Sequence, residues 1–259
     1  MEPDRLSPAE PRLRVFPGPT GLARAAAAEL LCRGRRAARE RGSFHVVLAG
    51  GSTPLALYEA LGSGTTARSD LWRHVHLYWG DERIVPPGDP ASNYGTAWEA
   101  GLRRLRLSAE HVHRLPGESG DARRAAVLYE TELRSRFPGA VWPRFDLIVL
   151  GLGADGHTAS LFPGSVAVDE KERWTAVAEA GDPLLPRVTL TLPVLNNAAA
   201  VLFLVAGAEK AEALAHLLDP GAQHLHPARR VRPPRGELLV FADRAAAPDS
   251  AGPPVRVAR

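Results

Sequence analysis

Asp155 and His157 stand one glycine apart in Gly151-Leu152-Gly153-Ala154-Asp155-Gly156-His157, directly after the apolar run 145–150. Imidazole changes charge near neutral pH, so His157 is the side chain here best suited to take a proton from water. A carboxylate two positions earlier can orient that ring. A strand emptying into so glycine-rich a turn would put both groups at the carboxyl edge of a sheet, where open α/β sheets take their ligands. Such turns also occur for purely structural reasons, so the pair draws its meaning from the rest of the chain.

Three further segments share that setting. Gly50-Gly51-Ser52-Thr53-Pro54 follows a strand-like run and precedes a helical one. Two glycines let the backbone approach a ligand, and the N–H groups opening a helix attract anions. The ending is not Gly-Lys-Ser/Thr, so this is no P-loop; a plain Ser or Thr helix cap is the competing reading. Trp79-Gly80-Asp81-Glu82-Arg83 also trails a strand-like run. Three adjacent charges usually form a solvated loop, yet Arg83 can clamp a phosphate bidentately and Asp81 can bind sugar hydroxyls or act as a base. Arg187 leads another strand, in Pro186-Arg187-Val188-Thr189-Leu190-Thr191-Leu192-Pro193. Lys210 falls in the first turn of a helix beginning near Ala208, where its charge opposes the helix dipole. Lysine occurs only at Lys171 and Lys210 in a chain whose 32 basic residues are otherwise arginine.

These residues must be positioned by elements, and the elements alternate. Strands are expected at 13–16, 44–48, 75–79, 145–150, 174–178, 188–192, 200–205 and 238–241. Helices are expected at 22–41, 55–61, 94–104, 122–137 and 208–218. Such alternation implies an α/β protein with a mostly parallel sheet covered on both faces. Residues 1–12 and 248–259 read as terminal tails, leaving one domain over 13–247. The Pro/Arg stretch 226–235 reads as a loop.

Composition excludes several classes. With 259 residues, 45% hydrophobic and 24% charged, the chain is an ordinary globular one. A net charge of +3, spread along the chain, does not suit a nucleic-acid binder. No apolar run is long enough to span a bilayer, and the first residues lack an export signal. Cys32 is the single cysteine, so no internal disulfide forms; it reads as helix packing, and the reducing cytoplasm fits. The pairs His111/His113 and His224/His226 lack a third ligand, read as surface loops, and give no expected metal site.

Jointly, these strings resemble the 6-phosphogluconolactonases of the glucosamine/galactosamine-6-phosphate isomerase superfamily. The matching segments are Gly-Gly-Ser-Thr-Pro at 50–54, Trp-Gly-Asp-Glu-Arg-x-Val-Pro at 79–86 with Asp-x-x-Ser-Asn ending at Asn93, residues 151–163, and residues 187–196. The resemblance spans about 13–247. It implies a three-layer α/β/α sandwich with a Rossmann-like central sheet, related to deaminases and ribose-5-phosphate isomerases. It implies hydrolysis of 6-phospho-D-glucono-1,5-lactone with no cofactor; beside it, a cytoplasmic monomer with no nucleic-acid partner and no membrane is expected. His157 and Asp155 would be catalytic. Gly50, Gly51, Ser52, Thr53, Asp81, Arg83, Arg187 and Lys210 would bind the substrate and its phosphate. A glucosamine-6-phosphate deaminase is the alternative. Deaminases carry a glutamate five residues after the motif histidine, where this chain has Phe162.

Overall fold

Apolar runs and Gly/Pro punctuation resolve into ten strands and six α-helices in the computed structural model, which describes residues 9–180, 185–219, 221 and 226–247. Strand β1 (Pro11–Phe16) leads through α1 (Pro19–Arg41) to β2 (Phe44–Leu48) and α2 (Ser52–Leu61). Next come β3 (Val75–Trp79), β4 (Asp81–Arg83), α3 (Asn93–Ala100), β5 (Val112–His113) and α4 (Ala122–Arg136). The chain continues through β6 (Leu147–Gly151), β7 (Thr175–Ala180), β8 (Leu185–Leu190), α5 (Leu192–Asn196), β9 (Ala200–Val205), α6 (Ala211–Leu218) and β10 (Glu237–Asp243).

Seven strands form one sheet in the order β1-β10-β9-β6-β2-β3-β5, every neighbouring pair parallel. All six residues of β9 are buried. Successive strand residues face opposite sides, so unbroken burial means helices and loops cover both faces. This is the three-layer arrangement expected. From β2 the chain builds outward to β3 and β5; from β6 it builds the other way to β9 and β10. The order therefore reverses between β2 and β6, and a crevice opens outside their carboxyl ends.

A second sheet was not legible in the sequence. It is antiparallel, in the order β4-β8-β7. The segments expected as further strands of one sheet at 174–178 and 188–192 belong here, as β7 and β8. Gly80 joins the two sheets: its N–H donates to Leu48 O at 2.9 Å, and its carbonyl accepts from Leu190 N–H at 2.7 Å. The charged segment after Trp79 is consequently no solvated loop. Asp81 and Glu82 are 5% and 2% exposed, and β4 is a short strand.

Other boundaries shift for local reasons. The helix expected at 94–104 ends at Ala100 and resumes as a 3-10 turn over Leu102–Arg104. Gly101 separates the two, pressed where an added Cβ would lie 1.9 Å from Tyr58 O. The helix expected from Ala208 starts at Ala211 after a 3-10 turn, so Lys210 is the cap residue of α6. β1 begins at Pro11, inside the expected tail 1–12, because pairing with β10 extends to Pro11↔Leu238. Arg187 lies within β8, not at its start. Residues 227–230 of the expected loop form a 3-10 turn. Cys32 is exposed on α1, not packed. His113 is buried, not on a surface loop, while His224 lies outside the described residues. None of the described helices is long and apolar enough to cross a membrane.

Candidate active site

The carboxyl ends of β2, β3, β6 and β9 deliver their following turns to one cleft of about 180 Å³ at the switch point. Gly50, Gly51, Ser52, Thr53, Asp81, Arg83, His157, Arg187 and Lys210 all line it. Two buried tyrosines hold the strand ends in place. The Tyr58 hydroxyl accepts from Ala49 N–H at 3.0 Å and donates to Ala49 O at 2.6 Å. Tyr129 does the same for Trp79, at 3.0 and 2.9 Å. Both tyrosines thereby satisfy the backbone groups that the sheet leaves unpaired.

His157 reaches the cleft from a tight turn. Gly153 N–H donates to His157 O at 2.9 Å, and Gly156 N–H donates to Gly153 O at 3.0 Å. Asp155 Oδ1 accepts from the His157 amide at 3.0 Å and lies 2.6 Å from His157 Nδ1. A carboxylate only accepts, so in the neutral ring the proton sits on Nδ1 and the lone pair on Nε2. Partial burial works to raise the Asp155 carboxyl, but the hydrogen bonds and charge of His157 outweigh it and hold the carboxyl below its ordinary range. Gly153 makes room for the pair: a Cβ there would lie 2.1 Å from His157 Nδ1 and 2.5 Å from Asp155 Oδ1. The aromatic ring of Phe162 packs against the imidazole, with centroids 4.5 Å apart.

The opposite wall is cationic. Arg83 and Arg187 are directly paired across β4 and β8. Like charges in register destabilise a strand pair. Burial lowers the Arg187 pKa, and the neighbouring Arg83 charge lowers it further. Arg83 donates to Ala91 O at 2.6 Å, but the Nε of Arg83 and of Arg187 is buried with no partner. Among the described residues, neither guanidinium nor Lys210 has a carboxylate within ion-pair distance. Buried donors left unmade are costly, and an anion in the cleft would satisfy them. The N-terminus of the ten-residue α2 faces the same space. Its cap is Gly51, at φ +94°, with no side-chain cap bond, so Ser52 and Thr53 are first-turn residues and not caps.

Asp81 lines the cleft, and its carboxylate is also held by the protein. Its Oδ2 accepts from Ser160 Oγ at 2.6 Å and its Oδ1 from Asn93 Nδ2 at 3.3 Å, so both oxygens are engaged by the protein. Asn93 also donates to Asp81 O at 2.9 Å. Its side chain lies so near Gly50 that a Cβ there would fall 1.8 Å from Asn93 Oδ1. Glu82 turns away from the cleft. It accepts from the Arg83, Asn93 and Tyr94 amides at 2.7–2.8 Å and from Ser92 Oγ at 3.1 Å, anchoring the start of α3. Burial pushes its carboxyl up despite these bonds.

Four contributors escaped the sequence reading: Asn93, Ser160, Ala159 and Phe162 in its packing role. Asn93 carried a signal, since it ends a matched motif. Ala159 lines the cleft at φ +49°, a strained value for a non-glycine residue. A larger groove of about 820 Å³ is lined in part by Phe162, but by none of the anticipated site residues.

The profile of the family described as glucosamine-6-phosphate isomerases/6-phosphogluconolactonase matches residues 17–240. A 6-phosphogluconolactonase of Nostoc sp. is 38% identical over 237 residues, 90% of this chain and 96% of the relative. One from Synechocystis sp. is 41% identical over 215 residues, covering 82% and 86%. The solved 6-phosphogluconolactonase of Trypanosoma brucei superposes with a TM-score of 0.85 at 29% identity, over 94% of this chain and 100% of that one. A monomeric glucosamine-6-phosphate deaminase superposes with a TM-score of 0.75 at 19% identity, over 92% and 98%, a likeness of fold alone.

Proposed function

The chain belongs to the family of glucosamine-6-phosphate isomerases and 6-phosphogluconolactonases, and from that premise we propose how it hydrolyses 6-phospho-D-glucono-1,5-lactone to 6-phospho-D-gluconate. The enzyme is a lactonase of the oxidative pentose phosphate pathway, and its relatives are named 6-phosphogluconolactonases. One observation carries the mechanism: an oriented imidazole and an unpaired cation cluster share a single cleft.

His157 Nε2 takes a proton from water as its oxygen bonds to C1 of the lactone. The carbonyl electrons move onto its oxygen. When they return, the C1–O5 bond breaks, and O5 receives the proton from the imidazolium. Asp155 orients the ring and offsets its transient charge, as a carboxylate partner does for a catalytic histidine. Arg83, Arg187 and Lys210, with the Ser52 and Thr53 turn after Gly50 and Gly51, hold the 6-phosphate. That remote binding energy places C1 beside the base. Asp81, held by Ser160 and Asn93, supports the cleft floor and stands beside the sugar hydroxyls. Cytoplasmic location and a monomeric state belong to this reading; light scattering on the purified protein tests the latter.

Proton release from freshly prepared 6-phosphogluconolactone, measured against its spontaneous hydrolysis, tests the activity. His157→Ala should lose about 10²–10⁴-fold in turnover while remaining folded. Wild-type turnover in that variant would remove His157 from the role of base.

A further inference from the structure

Phe162 touches both halves of the site and belongs to neither. Its ring centroid lies 4.5 Å from that of His157, tilted by 35°, and 5.5 Å from the Arg187 guanidinium carbon. The residue is 8% exposed and lines the groove of about 820 Å³. The ring thus contacts two residues that line the catalytic cleft while itself lining the neighbouring groove. Its backbone is held on both flanks. Thr158 and Leu161 exchange hydrogen bonds at 2.9 and 3.3 Å immediately before it, and Pro163 follows, which restricts the preceding residue to extended conformations. Phe162 O also accepts from Ser165 N–H at 3.0 Å.

Each partner takes a contact from this ring. His157 has its Nδ1 tied to Asp155, which restrains the ring at one nitrogen but leaves the plane able to swing. Arg187 has an unpartnered buried Nε and a like charge opposite it, and both tend to displace the guanidinium. An aromatic face is attractive to a cation and to another ring, and each such contact contributes modestly.

We propose that Phe162 is a positioning residue that sets the distance between the proton-accepting imidazole and the phosphate-reading guanidinium, and so couples phosphate binding to proton transfer. The proposal rests on the functional reading above. A bound phosphate draws Arg187 to one place; the shared ring then fixes where His157 stands relative to the lactone. The phosphorylated substrate gains from this coupling in turnover as well as in affinity, whereas the unphosphorylated lactone does not.

The test compares kcat and KM for 6-phosphogluconolactone and for unphosphorylated glucono-1,5-lactone in the full chain, with thermal melting as a check on folding. Wild-type turnover of the phosphorylated lactone is measured first, and its failure would count against the functional reading rather than the coupling. With that activity in hand, Phe162→Leu should lower kcat on the phosphorylated lactone by about three- to tenfold and raise its KM by a similar factor. On the unphosphorylated lactone it should lower kcat at most about twofold. Phe162→Tyr, which keeps the ring face, should restore both constants. Should the leucine variant fail to fold, Phe162→Met, of similar volume and without a ring, answers the same question. The coupling is overturned if the ring-less variants lose equally on both lactones, lose nothing, or are not rescued by tyrosine.

Discussion

Gly153 and His157 show how much of the chemistry is settled by single atoms. The imidazole and the Asp155 carboxylate occupy the volume that any side chain at position 153 would fill. The Gly153→Ala protein should therefore fold, because only the His157 and Asp155 side chains must shift, but the ring and carboxylate can no longer meet. A displacement of about 1 Å in a catalytic group costs on the order of 10²-fold in rate. We expect kcat to fall by about that factor with an almost unchanged melting temperature. A fully active Gly153→Ala enzyme would show that the Asp155 contact is dispensable. In the sequence, Gly153 reads only as missing bulk. What the space holds depends on the turn made by Gly156 and on the path of β6.

The pairing of β4 with β8 governs the phosphate side. Neither strand looks informative alone: one is three charged residues, the other an apolar run with an arginine near its start. Antiparallel register places Arg83 opposite Arg187 and buries both Nε groups without partners. Such a pair is stabilised by whatever anion bridges it. Added 6-phosphogluconate, the reaction product, should thus raise the melting temperature of the wild-type protein. At 100 times its Kd a ligand contributes about 2.7 kcal/mol, or roughly 5–10 °C for a domain of this size. In Arg187→Ala the shift should shrink to a small remainder. An undiminished shift in that variant, followed by differential scanning fluorimetry, would place the anion elsewhere.

The molecule as a whole carries a second cluster at the opposite, amino-terminal edge of the sheet. His45 and His76 are register partners on β2 and β3, with rings stacked at 4.7 Å. His76 Nδ1 lies 3.0 Å from His113 Nε2, and His111 packs on His76 at 4.0 Å. Glu132 and Arg136 from α4, Arg41 at the end of α1, Asp146 before β6 and Tyr78 on β3 are the charged or titratable groups around them. Burial lowers His45 and His113, and burial together with neighbouring imidazoles brings His76 down to about 3. A depressed histidine pKa means that the unfolded chain takes up the proton first. The stability contribution of the neutral cluster is present above the ordinary histidine pKa of about 6.5 and is lost as pH falls below it. The melting temperature should drop between about pH 7.5 and about pH 5, before most carboxylates titrate. His76→Phe should flatten that slope. An equal slope in the variant would assign the loss to other groups.

Much of this was legible in the chain, for physical reasons. A strand buried on both faces is apolar along most of its length, so β2, β3, β6 and β9 declared themselves by composition. Turns that bring backbone to a ligand require glycine, so Gly50, Gly51 and the turn before His157 stood out, and with them most of the cleft. The direction of each strand follows from chain alternation, which put those turns on one edge. Pairing between distant segments has no such local imprint. Nothing in Asp81-Glu82-Arg83 by itself demands a partner strand, so its burial, the opposition of Arg83 to Arg187, and the contacts of Asp81 with Ser160 and Asn93 were decided by tertiary structure. The same holds for Phe162, whose side chain looks like any core residue until the fold sets it against both an imidazole and a guanidinium. Local patterns determine which elements form and where they end. Which side chains meet across those ends depends on register and on packing between segments far apart in the chain.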